Sequence, residues 1–218
     1  MNDTDAIAAR KRALRTAALR RRRGTDVAER WAAGERLAVA LRGSGLLDGV
    51  CGRQIAERPT VAAYVSMGTE IETRPLLGLL LERGVRVLVP RLGRGLDVGW
   101  SELAALDGLR DPDRCGGGSR RPAEPVNAPV LESAEALRDV DLVLLPALAV
   151  STANGARLGR GGGWYDRALA AMARNCGLVA VCWPWEVTDR ALPSEPHDVP
   201  VDAVLTPDGI TMIGVSPA

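Results

Sequence analysis

Apolar and polar positions alternate with two distinct periods along this chain. Residues 5–23 are mostly Ala, Leu and Arg with no internal Gly or Pro, and these strong helix formers predict a first helix. A second helix is predicted over residues 25–42, ended by the glycines at 43, 45 and 49. TVAAYV (60–65) and VRVLVP (85–90) read as β-rich runs on either side of TRPLLGLLLERG (73–84), a helix closed by Gly84. That is a βαβ unit, so parallel pairing through a right-handed crossover follows. Residues 107–130, dense in Gly, Pro and Arg, are expected to form a long surface loop. VDLVLLPALAV (140–150) is nearly continuous in apolar residues, as in a strand buried on both faces at the centre of a sheet. A helix over 164–174, a buried strand GLVAVCW (177–183) and an edge hairpin in VDAVLTPDGITMI (201–213) complete the pattern. The expected fold is a three-layer α/β/α arrangement with a mostly parallel open sheet, N-terminal helices over 1–42 and one domain over 1–218.

Composition narrows the function without naming it. With 218 residues, 46% hydrophobic and 25% charged, the chain has the balance of a water-soluble folded domain. Its first residues, MNDTDAIAARKRALR, carry charges where a secretory signal needs an apolar run, so a cytoplasmic location is expected. Cys51, Cys115, Cys176 and Cys182 form no CxxC pair, and His197 is the single histidine. Reduced, structural thiols are expected, and a His/Cys metal centre is not.

Net charge is only +1, yet Arg10, Lys11, Arg12, Arg15 and Arg20 to Arg23 crowd into the first two dozen residues. Such a cluster is either a solvated helix face or the footprint of an anionic ligand. Arg22 and Arg23 are expected to be exposed charges of little individual weight. The absence of Phe argues against a base-stacking platform. Lys11 is the only lysine among twenty-eight basic residues. A compact ammonium does what a planar guanidinium does not, so this position is a candidate for chemistry.

The sharpest motif is NGARLGRGGGWYDR (154–167), a glycine-rich turn that follows the central strand and opens a helix. Open α/β sheets bind ligands at such turns, where backbone N–H groups approach an anion. Arg157 and Arg160 add full positive charge, and a polyphosphate is the natural ligand. It is neither a P-loop, since no lysine follows position 11, nor the dinucleotide GxGxxG, since Trp164 stands where the third glycine belongs. The residues alone leave open a plain strand-to-helix connection, an α/β enzyme acting on another phosphorylated or thioester substrate, and a nucleic-acid-binding module using the Arg-rich helix.

RLGRGGGWYDR, preceded by DLVLLPALAV and followed by LPSEPHDVPVD, resembles the signature of the 5-formyltetrahydrofolate cyclo-ligase family. The resemblance runs over almost the whole chain in the family's order. It implies that Lys11 and Arg15 of KRALR bind ATP together with Arg157, Leu158, Gly159, Arg160, Gly161, Gly162, Gly163, Trp164 and Tyr165. It implies folate contacts for Val65 and Glu70 and for Arg160, Gly161, Gly162, Gly163 and Trp164. Asp166 and Asp198 would approach each other and share one Mg²⁺. The implied reaction is ATP- and Mg²⁺-dependent closure of 5-formyltetrahydrofolate to 5,10-methenyltetrahydrofolate through a phosphorylated formyl group, by a monomer with no nucleic-acid or membrane partner. The chain departs from the family's common pattern at Val150, Ser151, Gly162, Trp164 and Val187.

Overall fold

The structure is a computed structural model that describes residues 3–51, 58–92, 98–111, 121–170, 176–195 and 198–214. In chain order its elements are α1 (Asp3–Arg22), α2 (Val27–Gly43), α3 (Leu46–Cys51), β1 (Thr60–Ala62), α4 (Arg74–Glu82), β2 (Arg86–Leu92) and β3 (Val98–Glu102). There follow β4 (Leu109–Arg110), β5 (Glu124–Pro125), β6 (Leu131–Glu132), α5 (Ser133–Ala136), β7 (Leu142–Pro146), β8 (Ala149–Ser151) and β9 (Arg157–Leu158). The last are α6 (Trp164–Leu169), β10 (Gly177–Val181), β11 (Val187–Thr188), β12 (Ala203–Thr206) and β13 (Gly209–Met212).

The central sheet has the order β13-β12-β10-β7-β1-β2-β3-β6. Its five middle strands are parallel, and β13, β3 and β6 close the two edges antiparallel. Strand β7 shows why the middle is apolar throughout. Leu142 and Leu144 face one core, shared with α2 and α4, while Val143 and Leu145 face the other, shared with α5 and α6. Helices therefore cover both faces of a mostly parallel sheet, the three-layer arrangement expected. Among the described residues no helix is long and apolar enough to cross a membrane.

Strand order reverses between β1 and β7. The chain runs outward from β1 to β2 on one side and from β7 through β10 to β12 on the other. The carboxyl ends of β1 and β7 thus splay apart and leave the crevice where open α/β sheets bind ligands.

Several local expectations change. Within residues 107–130, expected as a long surface loop, a 3₁₀ turn at Leu106–Gly108 leads into a two-residue ladder of β4 with β5, and residues 112–120 lie outside the described set. The helix expected over 164–174 begins at Trp164 as α6 (Trp164–Leu169), and residues 171–174 lie outside the described residues. A second sheet, β11-β8-β9, went unforeseen because its strands are only two or three residues long. In it Val187 is the register partner of Val150, so two departures from the family pattern are neighbours in space.

Helix α2 is attached by an apolar stripe, Ala33, Leu37 and Leu41, and by Gly34, whose added Cβ would lie 2.1 Å from the Glu72 carbonyl oxygen. Helix α1 is attached differently. None of its described apolar side chains is fully buried, whereas Lys11 and Arg22 are 6% and 2% exposed. The Arg22 guanidinium takes both oxygens of Glu186 at 2.7 Å and the Ala147 carbonyl at 2.5 Å. Beside it, the Arg21 guanidinium lies 4.6 Å above the Trp185 ring, which stacks on Trp183. The segment after β10, Trp183 to Glu186, is the socket for the end of α1.

Arg22 is therefore no exposed charge, and the expectation that its loss would cost little is corrected. Removing one partner leaves the other charge buried and unpaired, which typically costs about 3–5 kcal/mol. Arg22→Ala should lower the thermal midpoint steeply, while Arg23→Ala, at an exposed position, should change stability by under about 1 kcal/mol. Thermal unfolding of the two variants checks this, and equal small effects would contradict the socket.

Candidate active site

The crevice between β1 and β7 opens into a cleft of about 490 Å³ lined by Lys11 and Arg15 of α1, Met67 and Glu70 after β1, and Pro146 to Leu148 at the end of β7. Residues 157–166 form another wall, and Glu195 and Asp198 complete it. Segments 144 or more positions apart in sequence meet here: the Arg15 Nε donates to the Gly159 carbonyl at 2.9 Å. Gly161 has φ +97°, a conformation that favours glycine, and an added Cβ would sit 3.3 Å from the Arg15 guanidinium carbon. The loop can thus lie flat against Arg15.

Lys11 reaches the cleft and is not in solvent. Its Nζ donates to Asp198 Oδ2 at 2.6 Å and to Glu195 Oε2 at 2.8 Å. Burial alone would lower the ammonium, but bonds to these two carboxylates outweigh it and hold Lys11 above its ordinary value. Arg157 Nη2 meets Asp166 Oδ1 at 2.5 Å, and its Nη1 donates to the Val199 carbonyl. Arg160 Nε meets Glu70 Oε1 at 3.2 Å across the cleft.

Asp166 and Asp198 line the same cleft, and each is held by a cation, Arg157 and Lys11 respectively. Among the described residues no cluster of three or more His, Cys, Asp or Glu side chains could hold a metal by itself. Two hard carboxylates on one cleft suit Mg²⁺, which takes one or two carboxylates together with phosphate oxygens and waters.

Val65 does not line the main cleft. It is buried in a small adjoining apolar pocket with Tyr64, Pro90, Trp100, Pro122 and Ala168. Trp164 and Tyr165 line both spaces. The Trp164 Nε1 is buried and meets no acceptor among the described residues, which leaves a donor for a ligand. Glu195 lines the cleft although no sequence motif singled it out. The signal was present in LPSEPHDV, where Glu195 and Asp198 stand three apart in one turn.

Glu70 sits in a loop closed on itself: Ser66 N–H donates to Thr73 Oγ1, Thr73 N–H to Ser66 Oγ, and Met67 N–H to Glu70 Oε2. Burial pushes the Glu70 carboxyl above the usual carboxylate range, against the pull of Arg160, the Met67 N–H and Arg22. Because its native value is raised, its stabilising contribution is full below the unfolded carboxylate range and is lost as pH rises through the native value. Glu70→Gln should therefore raise the thermal midpoint at neutral pH, and the gain should vanish by roughly pH 4. Denaturation of both proteins across that range measures it, and a wild type more stable than Glu70→Gln at neutral pH would show that the arginines outweigh burial.

Comparison with known proteins places this site in context. The model of the 5-formyltetrahydrofolate cyclo-ligase family matches residues 7–207. The 5-formyltetrahydrofolate cyclo-ligase of Mycolicibacterium smegmatis is 39% identical over 208 residues, covering 90% of this chain and 93% of that one. In fold, the NMR structure of Aquifex aeolicus 5,10-methenyltetrahydrofolate synthetase matches with a TM-score of 0.70 at 24% identity, over 95% of each chain. The Mycoplasma pneumoniae 5,10-methenyltetrahydrofolate synthetase matches with a TM-score of 0.65 at 18% identity, over 90% of this chain and 98% of that one. The chain belongs to the 5-formyltetrahydrofolate cyclo-ligase family of enzymes.

Proposed function

We propose that this enzyme closes 5-formyltetrahydrofolate to 5,10-methenyltetrahydrofolate at the expense of ATP, in the cleft between β1 and β7. The observation that carries the reading is one cleft shared by the lone lysine and the glycine loop: α1 brings Lys11 and Arg15 to the cleft that residues 157–166 line, and Arg15 bonds the loop at Gly159. In this reading the formyl oxygen on N5 attacks the γ-phosphorus, ADP leaves, N10 attacks the activated formyl carbon, and phosphate departs.

Such phosphoryl transfer asks the protein for positioning and charge more than for covalent chemistry. Lys11 would leave Asp198, Arg157 would leave Asp166 and Arg160 would leave Glu70 for phosphate oxygens, while Arg15 holds the loop at Gly159. Asp166 and Asp198, so released, would hold Mg²⁺. The ion would supply neutralisation of phosphate charge there. Glu70 and the wall of Trp164 and Tyr165 would take the folate, with Val65 behind them. Burial keeps the Tyr165 phenol protonated. It also pushes the Cys176 thiol to about 12 and the Cys182 thiol higher still, so neither Cys176 nor Cys182 is a thiolate nucleophile at neutral pH.

Purified protein mixed with 5-formyltetrahydrofolate, ATP and Mg²⁺ should develop the near-ultraviolet absorbance of the methenyl product, and no absorbance change without any one of the three. Lys11→Ala should lower kcat/KM by about a hundredfold or more, the usual cost of removing one charge-stabilising donor. Lys11→Arg should lower it by about tenfold despite the retained charge, because the guanidinium differs in size and donor geometry. Full activity in Lys11→Ala would remove Lys11 from the site.

A further inference from the structure

Each cation of the cleft that would meet phosphate already has an acid partner, and for two of them that acid is the carboxylate proposed to hold Mg²⁺. Arg157 is bound to Asp166 and Lys11 to Asp198. When those aspartates turn to the ion, both cations lose a counter-charge at the moment they are needed. Each has a second anchor. For Arg157 it is the Val199 carbonyl, and for Lys11 it is the Glu195 carboxylate. Both anchors come from residues 195–199, the same short segment that carries Asp198.

The segment is tied internally so that the two acids stay in register. Asp198 Oδ2 accepts from the Glu195 N–H at 2.8 Å, and the Asp198 N–H donates to the Glu195 carbonyl at 2.9 Å. Lys11 is almost fully buried, and a buried ammonium needs a charged or well-bonded partner at all times. With Asp198 occupied, the carboxylate within hydrogen-bond reach of Nζ is Glu195.

We propose that Glu195 is a positioning residue of this site: it holds the Lys11 ammonium in the cleft when Asp198 binds the metal, so that one carboxylate serves the ion and the other the lysine. This rests on the ATP and Mg²⁺ reading above. Without Glu195, Lys11 and the metal compete for Asp198, and metal binding in the presence of nucleotide weakens.

Mn²⁺ binding in the presence of a non-hydrolysable ATP analogue, followed by electron paramagnetic resonance, tests this without turnover. Glu195→Gln should weaken Mn²⁺ binding about tenfold, the scale of one charged hydrogen bond, with the thermal midpoint unmoved. In a Lys11→Met background the same substitution should add less than about twofold, since its effect runs through Lys11. Wild-type affinity in Glu195→Gln, or an undiminished loss in the Lys11→Met background, overturns the proposal and leaves the ATP site standing. Failure of the wild-type protein to bind Mn²⁺ with the analogue overturns both. Should Lys11→Met bind no Mn²⁺, a second pair decides. Glu195→Asp, which retains the charge, should stay within about threefold of wild type while Glu195→Ala loses about tenfold, and equal losses contradict the anchor.

Discussion

A guanidinium taken out of water costs several kcal/mol unless its donors are met. Arg22 meets them with the two oxygens of Glu186 and the carbonyl of Ala147. This contact sets the position of α1, because the helix lacks the buried apolar stripe that seats α2 and α4. Ala147 follows directly on β7, at the point where the strand order reverses. The pair therefore ties the end of α1 to the mouth of the binding crevice. About two and three turns back along the helix, Arg15 and Lys11 fall on the cleft.

Attachment by charge has a functional side. An apolar stripe would seat α1 regardless of what the cleft holds, whereas Lys11 is shared between docking the helix and facing the ligand. Its bonds to Asp198 and Glu195, like those of Arg157 to Asp166 and Arg160 to Glu70, keep the cleft near neutrality while no phosphate is present. In the proposed reaction, binding of the polyanion would exchange partners and would not have to create charge in a buried place, which would lower its desolvation cost.

Much of this was legible in the sequence. The continuous apolar run of β7 announced a central parallel strand, and the helix between β1 and β2 announced the crossover. The glycine loop marked the site because glycines beside two arginines exceed what a turn requires. The solitary lysine marked a second part of it, far away in sequence. What stayed hidden was pairing. Nothing local tells Arg22 from Arg23, since the difference lies in Glu186, 164 positions away. Glu195 likewise reads as one more surface acid until Lys11 is beside it. Sheet β11-β8-β9 is made of strands too short for any alternation to show, and Val65, read as the end of a strand over 60–65, lies three residues past β1 and in the neighbouring pocket. Of the basic cluster, Lys11, Arg15 and Arg22 bond to named partners, and the Arg21 guanidinium lies over the Trp185 ring.

The central claim is that the buried Arg22–Glu186 pair seats α1 and thereby places Lys11 in the cleft. Site-resolved amide hydrogen exchange of α1 in the wild type and in Glu186→Gln tests it most directly. The account predicts that exchange along α1 quickens by about tenfold or more in the variant while β7 and β10 keep their protection. Unchanged protection of α1 would show that something other than this pair holds the helix, and would contradict the account.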